Sequence, residues 1–146
     1  MKCEAINLSK HIGKSPNIFY IFGSEIILKN HVKSRILETL SSRGFVEKVV
    51  IDQENFKEIK PTIAANAGGS LFGSNLIIEL RHVSGKLPDA ITEIFTDNLH
   101  ISENISIIIN SHSEKLSLSS KWAKKMESES LIVECKKLKS FEEQIW

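Results

Sequence analysis

Two five-residue stretches admit few placements in a folded chain. Ile18-Phe19-Tyr20-Ile21-Phe22 is wholly apolar, β-branched and aromatic, and Ile105 to Ile109 is apolar except for Ser106. A strand with one wet face alternates apolar and polar residues. These do not alternate, so both of their faces must be covered, as in a parallel sheet packed between helices. Shorter runs of the same kind follow the pattern: Val49-Val50-Ile51, Leu76 to Leu80, and Leu131-Ile132-Val133, which ends near Cys135. Between them lie stripes at helical spacing: Leu28, Val32, Ile36 and Leu40; Phe56, Ile59, Ile63 and Ala67; Ile91, Ile94, Phe95 and Leu99; and Trp122, Ala123 and Met126. Ala5, Leu8 and Ile12 predict a short opening helix. Strand and helix alternate, which predicts an α/β domain with a mostly parallel, five-stranded sheet covered on both faces.

Punctuation agrees with these elements. Gly13 to Asn17 forms a turn, Ser24 is a candidate N-cap, and Gly44 stops the first long helix. Pro61 must kink the second stripe or delay its start, and Pro88 sits where a first-turn proline would. The chain has 146 residues, enough for one domain with a core. Its net charge of +1 creates no global field toward nucleic acid or an anionic membrane. Cys3 and Cys135 have neither metal-ligand nor redox spacing, so both are expected free in a reducing compartment. No stretch approaches a membrane span, and Glu4 and Asn7 interrupt any signal-like start. The expectation is a cytoplasmic protein with no membrane partner.

Catalytic and cofactor chemistry finds little support. In a doubly wound sheet the first strand-to-helix turn is where a phosphate loop sits. That turn, Phe22 to Lys29, has one glycine and places Glu25 where phosphate would go. Gly13-Lys14-Ser15 imitates the end of a phosphate-loop motif but precedes its strand, and Leu8 stands where the first glycine is needed. Glu79 is a single carboxylate where a metal-assisted nucleotidase wants a pair. Asn110 reads as a strand-ending turn residue. The five histidines show no ligand spacing, and no serine lies in a nucleophile-elbow frame. The expectation is no catalytic residue, no cofactor and no metal. Lys121, Lys124 and Lys125 join Lys136, Lys137 and Lys139 in a basic patch only if the last helix lies near the last strand's exit.

Ser70-Leu71-Phe72-Gly73-Ser74-Asn75 sets two large apolar residues among glycines and small polar ones, directly before a strand. Such a pair either folds back to plug the core or serves as an anchor for a partner's pocket. Tyr20 to Glu25 with the amphipathic helix after it, Arg43-Gly44-Phe45, Ser70 to Ser74, Ile108-Ile109 with Lys115-Leu116, Trp122, and Val133-Glu134-Cys135 come in an order and spacing that resembles the delta subunit of the bacterial DNA polymerase III clamp loader. The similarity runs from about Asn17 to Trp146.

The resemblance implies a three-layer, RecA-like, AAA+-type domain over residues 1–139 that does not bind ATP. Residues 140–146 would be a linker and the start of a truncated lid domain. It implies a non-catalytic module that binds and opens the sliding clamp, the beta subunit, with Leu71 and Phe72 as the inserted pair and Ser70 beside them. Other clamp-loader subunits would be partners of the full-length protein, and DNA an indirect or weak one. Gly69 replaces a large apolar residue that some members carry, so the anchor would be smaller. The competing classes are a degenerate phosphate-loop nucleotidase and a DNA-contacting module that uses the lysines.

Overall fold

The computed structural model describes residues 1–66, 75–83, 87–96, 101, 103–113, 116 and 119–136. Among the described residues six strands form one sheet: β1 (Lys2–Glu4), β2 (Ile18–Phe22), β3 (Phe45–Asp52), β4 (Asn75–His82), β5 (Ile105–Ser111) and β6 (Leu131–Glu134). Their order across the sheet is β1-β6-β2-β5-β4-β3, and every pairing is parallel. The helices are α1 (Leu8–His11), α2 (Ile26–Ser42), α3 (Ile59–Asn66), α4 (Asp89–Thr96) and α5 (Lys121–Glu129).

Alternate residues of the same strands feed two separate apolar layers. Tyr20, Phe22, Ile78, Leu80, Ile107 and Ile109 pack with Ile59 and Ile63 of α3, Phe95 of α4 and Met126 of α5. Phe19, Ile21, Ile77 and Ile108 pack with Leu8 of α1 and with Leu28, Val32, Ile36 and Leu40 of α2. The central runs lack a polar face because each face carries its own helices. The molecule is thus a three-layer α/β sandwich, as the alternation predicted.

The sheet has six strands, not five. β1 is only three residues long, and Cys3 is the one buried residue in it. It exists because it pairs with β6, Cys3 beside Val133, far away in sequence. Three residues cannot display a period, so the strand leaves no local signal. The expected opening helix follows it as short helical turns, with Ala5, Leu8 and Ile12 all buried.

β3 runs well beyond Val49–Ile51. It is an edge strand, paired only with β4, and its added residues include exposed Val46, Glu47 and Lys48. A bulge between Phe45 and Glu47 shifts its side-chain alternation. Phe45 therefore faces the α2 layer while Ile51, an even number of residues later, faces the α3 layer.

Pro61 lies in the first turn of α3, where its missing N–H would have no intrahelical acceptor. A 3-10 segment, Gln53–Glu58, precedes that helix. Pro88 lies immediately before α4, and its carbonyl accepts the N–H groups of Ile91 and Thr92 at 3.0 and 3.3 Å. Gly44 has φ +92 and closes α2, its N–H donating to Ser41 O at 3.1 Å.

Candidate functional site

The predicted anchor residues Ser70, Leu71 and Phe72 lie outside the described residues, as do residues 137–146 with the expected linker and lid start. The residues on either side of that segment are described. α3 ends at Asn66 and β4 begins at Asn75. In a parallel sheet that is the amino end, opposite the edge where doubly wound folds bind nucleotides. Asn75 pairs with Phe45 of β3. On the other side the N–H of Leu76 donates to Asn104 O at 2.8 Å, and the Asn104 side-chain amide donates to Asn66 O at 2.8 Å. Arg43 braces the same end, donating to Asn17 Oδ1 at 2.8 Å and to Ile12 O at 3.1 Å. The Gly13-Lys14-Ser15 triplet lies here in a surface turn, with Ser15 Oγ donating to Ile12 O at 2.7 Å.

The carboxyl end is closed by the chain itself. Gly23 has φ +121, and a Cβ there would lie 2.2 Å from Cys135 O. Its N–H, which a phosphate loop would offer to a ligand, donates to Ser113 O at 2.8 Å. Cys135 N–H donates to Phe22 O at 2.8 Å. Lys29, 3% exposed, reaches from the first turn of α2 to Ser111 O at 2.5 Å and His112 Nδ1 at 3.2 Å. Burial pushes the Lys29 amine down to about 8. The lysine of the turn where a phosphate loop was sought is thus turned inward onto the exit of β5. Both thiols are free and buried, and burial pushes Cys3 up to about 11 and Cys135 up to about 12. They stay protonated and unreactive at neutral pH.

Two expectations about single residues need correcting. Asn110 does not end a strand in a turn: it pairs inside β5 with Ile21 and Arg81, because β5 continues to Ser111. Glu79 does not stand at the end of its strand, because β4 continues to His82. It is fully buried in the middle of β4, with Lys48 at 2.9 Å, Arg81 at 2.9 Å and Lys33 at 3.6 Å. Burial would raise its carboxyl, but the hydrogen bonds from Lys48 and Arg81 and the charge of Lys33 prevail and hold it below the usual value. Its partners sit on α2, β3 and β4, so one carboxylate ties three elements.

His82 and Ser111, both buried, share a hydrogen bond of 2.7 Å on the opposite face. Of the lysines in the anticipated patch, Lys136 turns to Glu4 at 2.7 Å, and Lys137 and Lys139 lie outside the described residues. Among the described residues no helix is long and apolar enough to cross a membrane, and no three His, Cys, Asp or Glu are grouped to hold a metal.

The family model for DNA polymerase III, delta subunit, matches residues 19–136. The chain belongs to the DNA polymerase III delta subunit family. Solved structures share the fold. A Bacillus subtilis DNA clamp loader delta protein superposes with a TM-score of 0.66 at 18% identity, covering 94% of this chain and 44% of that one. A DNA polymerase III gamma subunit-related protein from Thermotoga maritima gives 0.51 at 15% identity, covering 95% and 48%. Rif2, solved in complex with the C-terminal domain of Rap1, gives 0.54 at 18% identity, covering 94% and 55%. This delta-family chain therefore spans about half the length of the structures it resembles. A comparison with curated protein sequences found no match.

Sequence reasoning missed Lys29, Asn104 and the partners of Glu79. A lysine among the apolar positions of α2 and a lone glutamate inside an apolar strand were the available signals for two of them. Asn104 carried none, since its role depends on where α3 and β4 end.

Proposed function

We propose that this chain is the clamp-contacting domain of a delta subunit. In this reading it presses Leu71 and Phe72, with Ser70 beside them, into an apolar pocket of the beta sliding clamp and loosens the ring for loading onto DNA. The observation that carries the reading is membership of the delta family across residues 19–136, a span that contains the whole Gly68–Asn75 segment. The similar Bacillus subtilis protein is a DNA clamp loader delta protein. The domain acts by binding and forms no covalent bond. The other loader subunits are partners of the complete subunit, and DNA is met indirectly.

The energetics are of the right size. Withdrawing a leucine and a phenylalanine from water contributes about 1.5–3 kcal/mol each. A few such side chains can carry most of an interface's affinity. Gly69 adds no side chain, so the anchor rests on two residues. The seat of the segment supports the reading: its flanks meet at the amino end of the sheet, braced by Asn104 and Asn75.

The test is titration calorimetry of the 146-residue chain against the beta clamp. Wild type binds; the double variant Leu71→Ala, Phe72→Ala keeps its circular dichroism and melting temperature but loses binding. Unchanged affinity in the folded double variant sinks the reading.

A further inference from the structure

A small cavity, about 150 Å³ in volume, opens at the amino end of the sheet on the side covered by α5. Ile18 at the start of β2, Ile101, and Ile105 at the start of β5 give it apolar walls. Glu103 and Glu129 also line it, and both are exposed, so their carboxylates stand at its mouth. Glu103 precedes Asn104, which is fixed by its bonds to Asn66 and Leu76. Glu129 is the last residue of α5, where the helix dipole is negative. Neither carboxylate has a hydrogen-bond or ion-pair partner among the described residues. The Met1 ammonium bonds to Glu127 O and Ser130 O and pairs with neither glutamate. Arg43 is taken up by Asn17 and Ile12.

These features select an occupant. A small-molecule ligand needs a cavity of roughly 300 Å³ or more, whereas this one holds a single long side chain. Apolar walls below two unpaired carboxylates fit an aliphatic stem with a cationic head. That describes lysine or arginine, and the fork of an arginine can bond to carboxylates on two sides. An acidic side chain would be repelled there.

We propose that the cavity is a second contact with the beta clamp and receives a lysine or arginine side chain of that partner. The inference rests on the reading of this chain as a clamp-contacting domain. Asn66 and Asn75, which flank the proposed anchor segment, lie at the same end of the sheet. Asn104 bonds to the end of α3 and the start of β4, and Glu103 is its neighbour in the chain. One partner surface therefore meets both places.

The experiment measures binding to the beta clamp by surface plasmon resonance at two salt concentrations, with melting temperatures alongside. Wild type is compared with Glu103→Gln, Glu129→Gln and with Glu103→Asp, Glu129→Asp. Two further variants are the anchor variant Leu71→Ala, Phe72→Ala and a charge-matched control, Glu54→Gln, Glu58→Gln. The control residues are exposed in the 3-10 segment after β3, at the opposite end of the sheet. The double glutamine variant at the cavity should bind roughly three- to tenfold more weakly. It should dissociate faster and depend less on salt, because a seated cation is lost. The double aspartate variant keeps both charges but shortens both arms, so it too should dissociate faster. The control should match wild type.

A dissociation rate unchanged by both cavity variants overturns the inference. So does a loss confined to the association rate and shared by the control, since that reports only the overall field. Wild-type affinity in the double glutamine variant, when the anchor variant has lost binding, removes the second contact and leaves the clamp reading intact. Wild-type affinity in the anchor variant overturns the clamp reading first. Should the double glutamine variant not fold, the single variants Glu103→Gln and Glu129→Gln decide by the same rates.

Discussion

Lys29 shows how one side chain can be both buried and charged. Its ammonium rests on Ser111 O and His112 Nδ1. Burial pushes the amine from 10.5 down to about 8. The folded protein therefore gives up this proton more readily than the unfolded chain. Below pH 8 both states are charged and the folded state carries the full burial penalty; between about 8 and 10.5 the penalty is relieved as pH rises. The thiols act in the opposite direction, since their raised values disfavour the folded state only once pH passes the ordinary cysteine value of 9.0. From pH 8 to 9 the lysine effect should dominate. We expect the urea midpoint of wild type to rise over that interval relative to Lys29→Met; parallel midpoints for the two proteins would refute it. The neighbouring Gly23 cannot be exchanged cheaply either. A side chain there meets both a positive φ and the oxygen of Cys135 at 2.2 Å.

Among the elements, β4 carries the largest internal conflict. Leu76 to Leu80 reads as a buried apolar strand, yet Glu79 lies at its centre with no exposure. Isolated, that charge would be strongly unfavourable. It is tolerated because Lys48 of β3, Arg81 of β4 and Lys33 of α2 converge on it. The tie also fastens the edge strand β3, whose charged residues and bulge guard it against pairing with other chains. Glu79→Gln leaves three cations without their counter-ion and should destabilise the fold by about 3 kcal/mol, measured as a lower urea midpoint at pH 7. That value is at the low end because the three cations are partly solvated. The folded carboxyl lies below its ordinary 4.5, so its contribution is complete above pH 4.5 and is lost as pH falls through the folded value. The glutamine variant should lack that share of acid sensitivity; an identical acid profile and midpoint would contradict this account.

For the whole molecule, the two ends of one sheet have opposite characters. At the carboxyl end the exits of β2, β5 and β6 bond to one another through Gly23, Ser113 and Cys135, and Lys29 seals the join. A triphosphate would have to break those bonds to reach the amide of Gly23. ATP with magnesium should therefore leave the melting temperature within about 1 °C, since only a ligand that binds the folded state raises it. A rise of several degrees at millimolar ATP would favour a nucleotide-binding domain instead. At the amino end, Asn104 bonds to both flanks of the segment proposed to meet the clamp, Asn75 pairs with Phe45, and Arg43 ties the turn before β2 through Asn17 and Ile12.

Apolar periodicity was enough to assign the class of fold. Runs without a polar face forced a sheet covered on both sides, and stripes at every fourth residue supplied the covering helices, because each pattern is written within a few neighbouring residues. The glycine-poor first turn likewise argued against a phosphate loop. Other features came from contacts between distant parts of the chain. β1 is a strand only because β6 lies beside it, and β3 reaches Phe45 only because β4 offers it a partner. Glu79 became a tie and Asn104 a staple through residues brought near them by the strand order. A hydrogen bond or ion pair across the sheet has no period along the chain, so its partners become known only when the strands are in register.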